Sequence, residues 1–264
     1  MLLIADIVVE TVVEGPGKRL AIWVQGCEIR CPGCCNPRFF SLRRLRHTQD
    51  QHSENSLIKA ALSATERSLA VRLSELFKSG PCWLSVQQIC TIIDQSLQNS
   101  ALQGVSFLGG EPFTQAGGLA SIGRYAGGLG LSVMVFTGHT LEQLCSRSGW
   151  QPPDRIELAA TAVDAANDPF WERLERLVAE LDPQAVLGLL EVCDLLVDGP
   201  YLRELHQRDR RWIGSANQQL RVLSQRGKAE LEGESLSTNH LEIRLVNGAL
   251  SINGFPIEDI SWLR

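Results

Sequence analysis

Short apolar runs, separated by stretches with helical spacing, are the feature that most constrains the fold of this chain. Three such runs, 20–24, 131–136 and 193–197, each hold at most one polar residue. Runs of this kind are typical of strands that are buried on both faces, as in parallel sheets. Because helical patterns lie between the strands, the sequence predicts an α/β fold with a parallel sheet.

Further elements follow from local signals. Ser85 and Gln88 form a capping-box pattern that starts a helix over 86–98. Asn247-Gly248 is the strongest short signal for a hairpin, which we expect over 241–252. Additional strands are expected at 2–13, 104–108 and 219–223, and additional helices at 56–77, 114–127, 140–147, 201–210 and from Asp168-Pro169 onward.

The length of 264 residues fits one enlarged domain as well as two. We expect a single domain over 1–264. The segments at about 38–83 and about 149–190 interrupt the alternating pattern, and we interpret them as largely helical insertions. The segment at about 229–264 is interpreted as a C-terminal extension that carries the hairpin.

Composition and charge exclude several classes of function. The net charge of −5 gives no basic excess, so no general nucleic-acid surface is expected. No apolar run approaches the roughly 18 residues that a membrane helix needs. The N-terminus lacks the basic region of a signal peptide. We therefore expect a cytoplasmic protein that binds neither nucleic acid nor membrane.

The cysteines are unevenly distributed. Four of the eight fall within nine residues, whereas the other four are scattered among apolar neighbours and are expected to be buried as apolar side chains. The clustered ones are Cys27, Cys31, Cys34 and Cys35, and the scattered ones are Cys82, Cys90, Cys145 and Cys193. In a cytoplasmic protein, tight clustering indicates metal or redox chemistry rather than a disulfide scaffold.

The cluster begins just after the strand at 20–24, with the spacing C-x3-C-x2-C. Three thiolates on one loop can hold three irons of a cubane, which leaves the fourth iron open to a substrate. A structural zinc site and a set of buried free thiols are the alternatives. Structural zinc normally takes four ligands in two pairs, and no second pair follows. Cys35 is adjacent to Cys34 and is not expected to reach the same metal.

A second motif, Gly109-Gly110-Glu111-Pro112, follows the strand at 104–108. Ligands of parallel α/β sheets bind at the carboxyl ends of the strands. Glycines let the backbone approach a ligand closely, and the Glu111 carboxylate suits an ammonium group. An ordinary strand-to-helix turn is the alternative here, and also for Thr137-Gly138 and Asp198-Gly199 at two other strand ends.

Together these motifs resemble the radical S-adenosylmethionine superfamily, and more closely its glycyl-radical-enzyme activases, among them the activators of anaerobic ribonucleotide reductase. The resemblance covers about half of the chain: 14–37, 84–145 and 192–223. Two positions differ from the usual pattern of these activases. Cys35 stands where they usually have Tyr or His, and His139 stands where they usually have Tyr. The blocks that carry the resemblance are Gly15 to Arg19, Trp23 to Cys27, Cys34 to Pro37, Phe107 to Pro112, Val135 to Gly138, Leu196 to Pro200 and Gly214 to Gln218.

The resemblance implies a partial (β/α) barrel of the radical S-adenosylmethionine type. It implies a 4Fe-4S cluster held by Cys27, Cys31 and Cys34, whose open iron binds S-adenosylmethionine. Glu111 and the two glycines before it would receive the amine of this cofactor. The full set of residues implied in S-adenosylmethionine binding is Gly33, Cys35, Gly109, Gly110, Glu111, Thr137, Asp198 and Asn217.

The function implied is an activating enzyme that reductively cleaves S-adenosylmethionine and generates a glycyl radical on a partner, anaerobic ribonucleotide reductase. Flavodoxin or ferredoxin would supply the electron. Such an acidic donor could dock on the basic run after the cysteine loop, although a solvated helix face is the alternative for Arg38, Arg43, Arg44 and Arg46. The alternatives for the whole chain are a radical enzyme acting on a small molecule or peptide, similar to deazaguanine synthases, and a non-catalytic iron–sulfur or zinc protein.

Overall fold

A seven-stranded mixed sheet forms the centre of the computed structural model, which describes residues 1–41, 51–64, 68–153, 168–237, 239–246 and 248–254. The strand order is β3-β1-β2-β4-β5-β6-β7. The four central strands β2, β4, β5 and β6 are parallel, and the outer strands pair antiparallel to their neighbours. The strands are β1 Leu2–Thr11, β2 Arg19–Val24, β3 Cys82–Leu84, β4 Gly104–Gly109, β5 Ser132–Phe136, β6 Leu195–Asp198 and β7 Gln219–Val222.

Helices alternate with the central strands, as the sequence predicts. The Ser85 cap is confirmed: its side chain accepts from the Gln88 amide, and the Gln88 side chain accepts from the Ser85 amide. The helices are α1 Gln51–Ser63, α2 Leu69–Phe77, α3 Val86–Asn99, α4 Ala116–Gly128, α5 Leu141–Ser148, α6 Pro169–Glu180, α7 Pro183–Val192 and α8 Gln225–Leu231.

The two faces of the sheet have different surroundings. On β2, Leu20, Ile22 and Val24 belong to the main core, which the sheet shares with α1 to α7. Ala21 and Trp23 point to the opposite face and pack in a smaller cluster. That opposite face carries a cavity whose walls include Trp23 from β2. The alternation of side chains along a strand thus separates the packing face from the face open to a ligand.

Several sequence-based expectations need correction. The sheet is not purely parallel, and β3 lies inside the segment that we interpreted as an insertion at 38–83. The predicted helix at 56–77 is two helices, α1 and α2. The predicted helix at 201–210 is wrong, since only a short 3-10 turn forms, at Arg203–Leu205. This segment instead bonds back to the following loop, with Ala216 N donating to Leu205 O at 2.8 Å.

The sheet is open. Among the described residues, β3 and β7 end the strand order and do not pair with each other, so no closed barrel forms. No helix in the described ranges is long and apolar enough to cross a membrane.

The predicted C-terminal hairpin is confirmed as β8 Leu241–Val246 and β9 Ala249–Gly254. It forms a separate two-stranded sheet beside the end of β1. Arg244 donates to the Val9 carbonyl oxygen at 2.6 Å, and the Gly254 amide donates to the Glu14 carboxylate at 2.8 Å. These contacts bring the hairpin to the rim of the cavity, where Leu241, Leu250 and Ile252 line the wall.

The buried carboxyl group of Glu14 predicts that the stability of the protein depends on pH. Burial raises the pKa of Glu14 from 4.5 to about 7. The folded protein therefore binds this proton more tightly than the unfolded chain, so the stabilisation is complete below the unfolded pKa and is lost as the pH rises through the folded pKa. The loss amounts to at most about 3–4 kcal/mol, since one pKa unit corresponds to about 1.4 kcal/mol.

Urea unfolding at about pH 5 and about pH 8 measures this loss, and Glu14→Gln is expected to reduce the difference between the two conditions. Other titrating groups contribute equally to both proteins and cancel in the comparison. Equal pH dependence in the wild type and the variant would contradict the assignment to Glu14.

Candidate functional site

The cysteine loop leaves the sheet at the carboxyl end of β2. Two backbone hydrogen bonds close its base, from Gly26 N to Phe39 O at 2.8 Å and from Cys27 N to Phe40 O at 3.4 Å. The Gln25 side chain adds a bond to the Ser41 carbonyl oxygen at 2.7 Å. The loop is therefore fixed at both ends, and Cys27 follows three residues after the end of β2.

The second and third cysteines are joined by a tight turn. Cys34 N donates to Cys31 O at 3.1 Å, and Gly33 has a φ of +79°. Proline at the second position and a glycine with positive φ at the third are typical of a type II turn. The sequence Cys31-Pro32-Gly33-Cys34 meets both requirements, so the two residues between the cysteines explain how the loop brings them to one side.

A cavity of about 910 Å³ lies between this loop and the carboxyl ends of β4 and β5. It falls within the usual range of ligand pockets, about 300–1,000 Å³. Most of the residues predicted to form the site line this one cavity: Cys27, Cys31, Gly33, Cys34, Cys35, Gly109, Gly110, Glu111 and Thr137. Asp198 and Asn217 are absent from its lining.

The thiols differ in acidity. Burial raises the pKa of Cys27 to about 11 and that of Cys31 to about 12, and the negative charge of Glu111 adds to both shifts. The thiol of Cys35 donates a hydrogen bond to Cys34 and lowers the pKa of Cys34 to about 7. At neutral pH Cys27 and Cys31 are therefore protonated, and a metal that binds them must displace two protons.

The donor chemistry of the site fits an iron–sulfur group. Four soft thiols line one cavity, three of them in the C-x3-C-x2-C pattern, and thiolates are the usual ligands of such clusters. Within the described ranges, however, no three His, Cys, Asp or Glu side chains are close enough together to hold a metal ion. The thiols thus share a cavity wall without converging on a common point.

Glu111 is almost completely buried and joins the ends of two strands. Its Oε1 accepts from the Thr137 hydroxyl at 2.8 Å and from Phe113 N at 3.0 Å, and its Oε2 accepts from Gly138 N at 2.9 Å. A carboxylate offers about four acceptor positions, so one position stays open for a further donor. The two motifs that the sequence predicts at separate strand ends are therefore in direct contact.

The structure explains why Glu111 is preceded by two glycines, which the sequence alone does not reveal. Gly109 has a φ of +105°, and a Cβ there would lie 2.8 Å from Trp23 Cα. A Cβ on Gly110 would overlap the carbonyl oxygen of Gly26. We expected these glycines to admit a ligand, but the close approach that they permit is first of all to the backbone of β2 and Gly26.

Asp198 and Asn217 have partners within the protein. Asp198 accepts from Arg221 Nε at 2.9 Å and from Leu141 N at 2.9 Å, so it connects β6 to β7 and to the start of α5. Asn217 Nδ2 donates to the Pro200 carbonyl oxygen at 2.7 Å. Both side chains are buried and hold the loops behind the cavity wall.

His139 lies in a second cavity of about 600 Å³, which shares Cys27 and Glu111 with the first. Burial lowers the pKa of His139, so the imidazole is neutral. Its Nδ1 has no hydrogen-bond partner among the described residues. The residue is absent from the lining of the larger cavity.

Sequence reasoning missed Tyr201, which lies in the wall of the larger cavity. Its backbone amide donates to the thiol of Cys31, and its hydroxyl lies 3.1 Å from His206 Nδ1. The signal that could have found it is its position directly after the strand-end motif Asp198-Gly199-Pro200.

The arginine run is described only at Arg38, which is exposed, because Arg43, Arg44 and Arg46 lie outside the described residues.

Comparisons with known proteins agree with the chemistry of the loop. A family model described as a 4Fe-4S single cluster domain matches residues 13–168 and 166–221. An anaerobic ribonucleoside-triphosphate reductase-activating protein from Vibrio cholerae is 25% identical over 207 residues, which cover 78% of this chain and 89% of the relative. The family match includes the cysteine loop and the carboxyl ends of β2, β4, β5 and β6, and it ends before the C-terminal hairpin.

Proposed function

The chain belongs to the family of 4Fe-4S single cluster domains, and from this membership we propose that it is a radical S-adenosylmethionine activating enzyme that generates a glycyl radical on a partner enzyme. One observation carries the proposal. The C-x3-C-x2-C loop and Gly109-Gly110-Glu111 face each other across a single cavity at the carboxyl edge of the sheet. The similarity to a reductase-activating protein makes an anaerobic ribonucleotide reductase the proposed partner.

In this proposal Cys27, Cys31 and Cys34 hold a 4Fe-4S cluster. The chemistry that the reduced cluster supplies when bound is one-electron cleavage of S-adenosylmethionine to methionine and a 5′-deoxyadenosyl radical, which removes a hydrogen atom from a glycine of the partner. Three protein thiolates leave one iron for the cofactor. A zinc site is disfavoured because the matching family is defined by an iron–sulfur cluster.

The residues of the chain itself would position S-adenosylmethionine in the cavity. Glu111 is fixed by three donors and keeps one acceptor position, which we assign to the amine of S-adenosylmethionine. Thr137 would help by holding the Glu111 carboxylate. Gly33 and Cys35 are assigned to the adenine side. Asp198 and Asn217 are proposed on the ribose or carboxylate side, where they would act indirectly, because neither lines the cavity and both hold loops behind its wall.

The open sheet is compatible with a partial (β/α) barrel. Helices α1 to α7 cover one face, and the other face carries the cavity. A hydrogen-abstracting radical must be kept from water, and a cavity that is open at one side needs a lid to do this. We assign that role to the segment of the partner that carries the target glycine.

The electron donor is proposed to be an acidic protein such as flavodoxin or ferredoxin. The net charge of the chain is −5, yet arginines are exposed around the cysteine loop. Arg30 and Arg38 belong to the loop itself, and Arg203 stands next to Gly33. Opposite charges of this kind increase the rate of encounter between two proteins.

The test is anaerobic reconstitution with iron and sulfide, followed by addition of dithionite and S-adenosylmethionine. We expect release of 5′-deoxyadenosine and methionine in equal amounts, measured by chromatography. A glycyl radical signal in electron paramagnetic resonance is expected when an anaerobic ribonucleotide reductase is added. Deoxyadenosine without a protein radical would favour the small-molecule alternative, and a fully loaded cluster that releases no deoxyadenosine would overturn the proposal.

A further inference from the structure

The second insertion reaches the cysteine loop. Leu174, in the middle of α6, is 1% exposed and packs against Cys27 and Ile29. This contact lies apart from the main core, to which α6 contributes Val178. Partly buried side chains surround it from both segments: Cys31 and Phe40 on the side of the loop, and Phe170, Trp171 and Leu177 on α6.

A polar contact fixes the same pair of segments. The guanidinium of Arg173 donates to the carbonyl oxygen of Ile29, which lies between the first two cysteines, and stands 5.5 Å from the centre of the Phe170 ring. Asp168 caps the helix by accepting from Phe170 N at 2.8 Å. The cap and the ring contact order the start of α6 and Arg173, and the Arg173 hydrogen bond joins the helix to the loop.

We propose that α6 is a positioning and shielding element for the cysteine loop. Its apolar side covers Cys27, while Arg173 holds the backbone of the loop at Ile29. The importance of this element for cluster chemistry rests on the proposed function, in which Cys27 is a ligand. Groups that orient the ligands and limit solvent access commonly determine metal retention and reduction potential.

Two cysteines of the loop, Cys27 and Cys35, differ in their burial and can be compared within one protein. Cys27 is buried against α6, whereas Cys35 is exposed and is not part of the apolar cluster formed with α6. Loosening α6 should therefore change the accessibility of Cys27 much more than that of Cys35. This expectation concerns the metal-free protein and does not depend on whether a cluster forms.

The first experiment is alkylation of the full-length, chelator-treated protein with iodoacetamide, followed residue by residue with mass spectrometry. In Leu174→Ala we expect Cys27 to react at least about tenfold faster, because a cavity replaces the side chain that covers it, while Cys35 reacts as before. Val178→Ala is the matched control, a truncation on the same helix that affects the main core. An unchanged Cys27 rate, or an equal increase in both variants, would overturn the proposal.

The second experiment uses Arg173→Gln, with Arg176→Gln as the control at an exposed position of the same helix. In the reconstituted protein we expect the Arg173 variant to lose its iron–sulfur absorbance in air about tenfold faster than the wild type, in line with other groups that support metal ligands. Its reduction potential should shift negative, since a positive charge near the cluster is removed. Equal cluster lifetimes and equal potentials for the two variants would overturn the role of Arg173.

The two experiments separate this inference from the proposed function. If the wild type never assembles a cluster, the proposed function fails, whereas the alkylation result still decides whether α6 positions the loop. If the wild type cleaves S-adenosylmethionine and Cys27 reacts equally in all variants, the proposed function stands and the role of α6 is wrong.

Discussion

Cys31→Ala is expected to abolish both the iron–sulfur content and the S-adenosylmethionine cleavage of the reconstituted protein. Cys31 lies at the first position of the turn that faces the cavity, next to Cys34 in space. Removing groups that merely support a ligand lowers metal affinity or activity by about 10–100-fold, so loss of a ligand should exceed about 100-fold. Iron analysis and the yield of 5′-deoxyadenosine measure the two effects separately.

Two matched controls make this prediction specific to the three-cysteine pattern. Cys35→Ala removes a thiol from the same loop that we assign to the cofactor side, and Cys90→Ala removes one from α3 outside the cavity. Both variants should keep their iron. If Cys35→Ala loses as much iron as Cys31→Ala, the cluster has four protein ligands, and the open iron on which the proposed chemistry depends does not exist.

The sequence predicts where these motifs lie in the fold because the evidence is local. Thr137-Gly138 and Gly109-Gly110-Glu111 follow apolar strands, and the carboxyl ends of parallel strands meet at one edge of the sheet. The turn between Cys31 and Cys34 is likewise determined by its own two central residues. Periodicity and turn chemistry are enough to bring these residues to one cavity.

What the sequence could not predict depends on contacts between distant segments. The three-residue strand β3 exists because Cys82 to Leu84 pair with the start of β1. The helix at α6 was expected from its Asp168-Pro169 start, but its contact with Ile29 joins residues 144 positions apart. Phe170 and Trp171 likewise belong to an apolar cluster that includes residues of the cysteine loop.

The same limit applies to the mixed direction of the sheet. The four residues of β7, in which polar and apolar side chains alternate, are too few to show the direction of the strand, which follows from the chain path after β6. The error at 201–210 has another cause. Backbone groups of this segment bond to the loop at 214–216, with Ala216 N donating to Leu205 O and Gln207 N donating to Gly214 O.

Arg19→Met is expected to destabilise the folded protein by about 3–5 kcal/mol, the usual cost of removing one member of a buried ion pair. Arg19 is completely buried at the start of β2. Its guanidinium pairs with Glu230 at 3.1 Å and donates to the Ser106 hydroxyl at 2.7 Å and the Ser132 hydroxyl at 2.9 Å. A Cβ on Gly104 would overlap this guanidinium, so the neighbouring strand leaves room for it.

The effect should be measured as the free energy of unfolding in urea, with Lys18→Met as the control. Lys18 is the adjacent residue and forms an exposed ion pair with Glu10, for which a loss below about 1 kcal/mol is expected. A cost for Arg19→Met no larger than that for Lys18→Met would contradict the prediction.

Because Arg19 joins the amino ends of β2, β4 and β5, it fixes the register of the strands whose opposite ends carry Cys27, Glu111 and Thr137. A residue buried at the far edge of the sheet thus helps to determine the alignment of the cavity walls.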